Sequence, residues 1–90
     1  MALTRQMRIV NEKGLHARAS AKFAETVDRF DATAEVMREQ VTASGDSIMG
    51  LLMLAASRGT CIEVRVEGPE AQALADALEA LVADGFGEEY

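Results

Sequence analysis

The sequence has few of the residues that form metal centres, disulfides and redox sites. Its 90 residues include one histidine, one cysteine, one proline and no tryptophan. A single cysteine cannot form an internal disulfide, and one histidine, one cysteine and no clustered carboxylates leave no plausible set of metal ligands. The sequence therefore predicts no metal and no cofactor. The unpaired Cys61 favours a reducing compartment, and we expect it to be a small buried residue within a strand.

Long apolar runs are also missing. No stretch approaches the length of a membrane span, and no signal-peptide core precedes the first predicted strand. We therefore expect a cytoplasmic protein without membrane contact. Because 49% of the residues are hydrophobic, 90 residues suffice for one modest core, so residues 1–90 are predicted to form a single domain.

The charge is distributed unevenly along the chain. The net charge is −6, yet the first thirty residues carry six basic side chains against three acidic ones, whereas the remaining sixty carry three and twelve. A chain this acidic, with no aromatics among its basic residues, does not read as a nucleic-acid binder. The positive charge near the only histidine, His16, instead suits an anionic group or an acidic partner.

Hydrophobic periodicity predicts the order βαββαβα. Alternation predicts strands at 3–10, 31–37, 40–43 and 60–67. Helical spacing predicts helices at about 17–29, at 48–54 and from 71 through Val82, followed by a frayed acidic tail at 84–90. The expected core includes Phe23, Val27, Phe30, Leu51 and Leu54. This order indicates an α+β domain with three helices on one face of a four-stranded antiparallel sheet, and it also fits a ferredoxin-like split βαβ fold.

His16 lies where the first predicted strand gives way to the first helix. Gly14 lets the chain turn just before it, and Arg18 follows two residues later. Helix N-termini bind anions through their unpaired N–H groups, so the backbone of Ala17 and Arg18 is placed to hold phosphate oxygens. This arrangement indicates a phosphoryl group carried on the imidazole. On spacing alone, a polar loop residue or a satisfied helix cap is the more common interpretation of a lone histidine at such a junction.

Two motifs carry a resemblance to a known family. The stretch Gly14-Leu15-His16-Ala17-Arg18-Ala19-Ser20 resembles the phosphohistidine motif of HPr, the phosphocarrier of the bacterial phosphoenolpyruvate-dependent phosphotransferase system. The stretch Asp46-Ser47-Ile48-Met49-Gly50-Leu51-Leu52-Met53-Leu54 resembles the serine motif of that family at the expected separation. The resemblance covers nearly the whole chain, and it implies the HPr-type open-faced β-sandwich.

The resemblance also implies a function. His16 would accept a phosphoryl group from phosphorylated enzyme I, on the ring nitrogen nearer the backbone, and pass it to a histidine of an enzyme IIA-type protein, assisted by Arg18. The protein would be a carrier and not an enzyme, in sugar transport or in a nitrogen-related regulatory relay. Many relatives have proline where this chain has Ala19, which bears on the rigidity of the first turn. The alternative is an α+β interaction module that is never phosphorylated.

The second motif predicts a capped helix with an exposed apolar surface. Ser47 is expected to be the N-cap, and the resemblance implies regulatory phosphorylation there by an HPr kinase/phosphorylase. Asp46 departs from the lysine of many kinase-regulated relatives. The resemblance assigns partner docking to Ile48, Met49 and Leu52. We expect the protein to be a monomer.

Overall fold

A computed structural model of the chain describes residues 1–88, which form a four-stranded antiparallel sheet with helices packed on one face. The strands are β1 (Ala2–Arg8), β2 (Thr33–Arg38), β3 (Val41–Ser44) and β4 (Cys61–Glu67). The helices are α1 (Ala17–Asp28), α2 (Ile48–Met53) and α3 (Ala71–Ala83), with a single 3-10 turn at Gly85–Gly87. The predicted βαββαβα order is confirmed.

The sheet order is β1-β4-β2-β3, so β4 is paired on both sides. Its register places Val66 opposite Leu3 of β1 and opposite Ala34 of β2. Since side chains alternate between the two faces of a strand, the even-numbered apolar residues of β4 all point toward the helices. Ile62, Val64 and Val66 are accordingly buried, and the other face of the sheet meets solvent.

The helices fill the core between them and the sheet. The fully buried side chains from these elements include Phe23 of α1, Leu51 and Leu54 at α2, and Leu74, Leu78 and Val82 of α3. The prediction that Leu51 and Leu54 belong to the core is confirmed. Phe30 lies just beyond α1 and is only partly buried, packed against the edge of the core. None of the helices described in residues 1–88 is long and apolar enough to cross a membrane.

The prediction that Cys61 is buried is wrong. Cys61 is exposed at the start of β4, opposite Arg8 of β1. The cause is the strand alternation itself, because burial of Ile62, Val64 and Val66 places the odd-numbered positions on the solvent face. The general tendency of cysteine to be buried is weaker than the periodicity of the strand that contains it.

The prediction of a frayed tail at 84–90 is wrong for the part that the structure describes. Phe86 is fully buried, and its carbonyl oxygen accepts a hydrogen bond of 2.6 Å from Lys22 Nζ of α1. The burial of one aromatic ring returns the chain to the body of the protein after α3. The last two residues, 89–90, lie outside the described range.

Candidate functional site

Gly14 shapes the approach to His16. Its φ is +67°, a left-handed conformation that favours glycine, and a Cβ atom there would lie 2.5 Å from the carbonyl oxygen of Ala56. That same carbonyl accepts a 2.9 Å hydrogen bond from the N–H of Leu15. This hydrogen bond holds the loop before α1 against the segment after α2. It thereby fixes the position of His16 at the start of α1.

His16 is the N-cap of α1, as the sequence predicts for a helix N-terminus. Its Nδ1 accepts a hydrogen bond of 3.3 Å from the backbone N–H of Arg18. An acceptor nitrogen carries a lone pair and no proton, so in the neutral ring the proton lies on Nε2. The side chain is 26% exposed, so most of the ring is covered and one part of it meets solvent.

Glu88 covers the other nitrogen of the ring. Its Oε2 contacts His16 Nε2, and its Oε1 accepts a 2.9 Å hydrogen bond from Asn11 Nδ2. Burial raises the pKa of Glu88, but the hydrogen bonds from Asn11 and His16, together with the positive charges of Lys13 and of the His16 ring when it is protonated, outweigh it, so the pKa lies below its ordinary value. Glu88 is therefore a carboxylate, and it accepts a hydrogen bond from the Nε2–H group.

Asn11 holds this carboxylate in place. It is almost fully buried, and its Nδ2 also donates a 2.8 Å hydrogen bond to the carbonyl of Gly14. Its Oδ1 is buried with no hydrogen-bond partner among residues 1–88. Burying an unpaired amide oxygen costs free energy, which is offset here by the two bonds that the same amide donates to the loop and to Glu88.

The sequence analysis did not identify Asn11 or Glu88 as site residues. In the sequence, Asn11 is one of several polar residues in a predicted loop. Nothing distinguishes Glu88 from the other acidic residues of the segment after α3. The one available signal is Phe86, a large apolar residue between two glycines in an otherwise acidic segment. Such a residue indicates that the tail packs on the core, and hence that an acid beyond it lies near a buried surface.

Arg18 and Ala17 are both exposed in the first turn of α1. The Arg18 N–H points to the imidazole nitrogen, so the structure brings the ring and the first-turn backbone together, and the Arg18 side chain extends from the same exposed turn. Ala19, which replaces a common proline, is fully buried. An anion beside Nδ1 would meet the N-terminal end of α1, and the permanent charge of Arg18 lies in the same turn.

Ser47 is the N-cap of α2, as predicted. Its hydroxyl oxygen accepts a 3.0 Å hydrogen bond from the N–H of Gly50. Of the predicted docking residues, Ile48 and Met49 are exposed, Met49 by 71%, whereas Leu52 is only partly exposed. Met53 is exposed as well, and the sequence analysis did not include it. The helix α2 that carries these apolar side chains packs beside α1, the helix that His16 caps.

Comparisons with known proteins identify the family and the fold of this chain. Residues 3–84 match a family model described as the PTS HPr component phosphorylation site. The chain belongs to the HPr family. A phosphocarrier protein HPr from Cupriavidus necator is 42% identical over 86 residues, which cover 96% of this chain and 97% of that protein.

Other relatives extend the match. A phosphocarrier protein NPr from Shewanella violacea is 42% identical over 86 residues, covering 96% of this chain and 94% of that protein. The crystal structure of HPr-C-His from Thermoanaerobacter tengcongensis superposes with a TM-score of 0.92 at 32% identity, covering 98% of this chain and 99% of that one. The fold is thus the open-faced β-sandwich of HPr, and the ferredoxin-like alternative is excluded.

Family membership fixes the broad class of activity. The chain is a phosphocarrier protein of the phosphotransferase system and not an enzyme. Membership also implies partners from that system, such as enzyme I and enzyme IIA.

Proposed function

We propose that His16 accepts a phosphoryl group on Nδ1 from phosphorylated enzyme I and passes it to a histidine of an enzyme IIA-type protein. The observation that carries this proposal is the state of the two ring nitrogens. Nδ1 has its lone pair directed at the N-terminus of α1, while Nε2 is engaged by Glu88. Phosphoryl transfer needs a nitrogen nucleophile without a proton, and Nδ1 meets that requirement.

The surroundings of Nδ1 suit the transfer step. The Nδ1 lone pair forms a bond to phosphorus as the bond to the donor's nitrogen breaks, and the donor ring keeps that electron pair. The Arg18 N–H, which now bonds Nδ1, then donates to a phosphoryl oxygen, together with the N–H of Ala17. The Arg18 guanidinium balances the charge of the phosphoryl oxygens from the solvent side. The exposed part of the ring allows the phosphoryl group to leave again toward the next protein.

The proposal covers both branches of the system. Relatives named HPr and NPr match this chain with the same identity, 42%, so sugar transport and a nitrogen-related relay are both consistent with it. Residues 1–90 would act as one domain in the cytoplasm. The protein would act as a monomer, because a carrier must present the same histidine to two partners in turn. Ile48, Met49 and Leu52 would form the surface on which those partners dock.

Transfer of labelled phosphate tests the proposal. The protein is incubated with enzyme I and phosphoenolpyruvate that carries labelled phosphorus, and the acid-labile label on the protein is followed with time. His16→Ala should take up no label. Arg18→Ala should be slowed about tenfold to a hundredfold, which corresponds to the loss of one charge-assisted hydrogen bond. Arg65→Ala, which removes an exposed arginine on the solvent face of the sheet, is the matched control and should behave as the wild type.

The outcomes separate the two functions. Undiminished label on His16→Ala would overturn the assignment of the acceptor. No label on the wild-type protein, in the presence of active enzyme I, would favour the interaction module that is never phosphorylated.

A further inference from the structure

The segment after α3 reaches across the domain to the ring of His16. Phe86 is buried in the core, and Lys22 Nζ donates to its carbonyl oxygen at 2.6 Å. Two residues later Glu88 lies against His16 Nε2, with its side chain only 14% exposed. A frayed tail would not keep a carboxylate there, so the burial of Phe86 is what brings the acid to the ring.

We propose that Glu88 is a positioning residue for phosphoryl transfer, held by Asn11, which orients the imidazole and stabilises the positive charge that the ring gains. The inference rests on the proposed function and goes beyond it. It names a contact on the nitrogen that does not react, and it assigns the buried asparagine a role in holding that contact.

The charge on the ring follows from the transfer step. When the Nδ1 lone pair forms the bond to phosphorus, the ring keeps its proton on Nε2 and becomes cationic. The donor histidine takes back the electron pair of the broken bond, so no other reactant is needed. A carboxylate that accepts the Nε2–H bond stabilises the cationic ring more than the neutral one, because hydrogen bonds between charged groups are the stronger ones. Glu88 should therefore shift the phosphoryl equilibrium toward this carrier.

The geometry of Asn11 supports this role. One amide group donates both to the Gly14 carbonyl, in the loop that leads to His16, and to Glu88 Oε1. One oxygen of the Glu88 carboxylate thus accepts a hydrogen bond from Asn11, and the other contacts the His16 ring. The carboxylate is fixed relative to the backbone that sets the position of His16, as a second partner commonly fixes the orientation of a reacting histidine.

The test compares Glu88→Gln with the wild type in two measurements. The first is the equilibrium fraction of carrier phosphorylated in a defined mixture with phosphorylated enzyme I. The equilibrium constant for uptake should fall about tenfold, since a neutral acceptor replaces a charged one. The second is the NMR resonance of the His16 Hε2 proton in the unphosphorylated protein, which should move upfield when the carboxylate is removed.

Glu79→Gln is the matched control. Glu79 is an exposed acid of α3 that pairs with Arg5, so this variant removes the same charge away from His16. It should leave both measurements at the wild-type values. A Glu88→Gln protein with unchanged equilibrium and unchanged Hε2 resonance would overturn the inference, and so would an equal fall in Glu79→Gln, which would indicate net charge alone. If the wild type takes up no phosphate at all, the proposed function itself fails.

Discussion

At the residue scale, Phe86 has an unusual combination of backbone and burial. Its φ is 59°, in the left-handed region that non-glycine residues seldom occupy, and it lies between Gly85 and Gly87, whose φ values are also positive. The ring is nonetheless fully buried. A left-handed non-glycine residue costs about 1–2 kcal/mol, less than burial of an aromatic side chain contributes, so packing decides the conformation here.

Phe86→Ala should lower the free energy of unfolding by about 3–5 kcal/mol, because it removes a large buried side chain and leaves a cavity. Urea unfolding followed by circular dichroism measures the loss. Phe30→Ala is the control of equal size, and it should cost clearly less, since Phe30 is only partly buried. Equal losses in the two variants would contradict the view that the tail is anchored by Phe86.

At the element scale, α2 has only six residues and exposes most of its apolar side chains. Leu51 is the residue it buries, whereas Met49 and Met53 are more than two-thirds exposed. A helix this short cannot bury several apolar side chains on one side. The exposed remainder is an adaptable apolar surface beside α1, which suits binding to more than one partner.

Met49→Asp should weaken binding to enzyme I by about tenfold or more, because it places a charge in an apolar contact. Titration calorimetry of the variant with enzyme I measures the affinity, and a thermal melt checks that the fold is unchanged. Gln72→Asp, at an exposed position of α3, is the matched control and should bind as the wild type. If Met49→Asp binds enzyme I with wild-type affinity, Met49 of α2 does not belong to the docking surface.

Ser47 caps α2 and is also the position where the family resemblance implies regulatory phosphorylation. A phosphate there would lie at a helix N-terminus, so it could form without disrupting the helix. We expect an HPr kinase with ATP to label the wild type and not Ser47→Ala, as measured by mass spectrometry. Equal labelling of both proteins, or none of the wild type, would exclude this serine as the regulated site.

The helices and strands could be predicted wherever a single hydrophobic periodicity dominates the local sequence. In β4, alternation identifies the strand and its buried face, and it also places Cys61 outward, which a rule about cysteine alone gets wrong. The His16 cap was predictable because a glycine, a polar cap and a helical pattern follow each other directly. Asn11 and Glu88 were not predictable, because 77 residues separate them and only the tertiary packing of Phe86 brings them together.

At the scale of the whole molecule, the basic first third and the acidic remainder meet at the site. His16 and Lys13 belong to the first part and Glu88 to the second. Against the effect of burial, hydrogen bonds and the positive charges of Lys13 and of the protonated His16 ring lower the pKa of Glu88. The segment from Gly85 to Glu88 thereby becomes part of the fold. A group whose pKa is lower in the folded state stabilises that state above its unfolded pKa, and the stabilisation is lost as the pH falls through the folded pKa.

The stability of the wild type relative to Glu88→Gln should therefore depend on pH. At about pH 6, where the carboxylate is charged in both folded and unfolded states, the free energy of unfolding should be larger for the wild type than for the variant. The excess should shrink as the pH falls below the ordinary value of 4.5 toward about pH 3. Urea unfolding of both proteins at the two pH values measures the difference. An excess that grows at the lower pH would contradict the direction of the shift.

The central claim is that His16 carries the phosphoryl group on Nδ1. The most direct measurement is NMR of the protein labelled with ¹⁵N in histidine, after incubation with enzyme I and phosphoenolpyruvate. We predict a phosphorus–nitrogen coupling on Nδ1, with Nε2 still bearing its proton. Coupling on Nε2, or phosphorus on any other residue, would contradict the account.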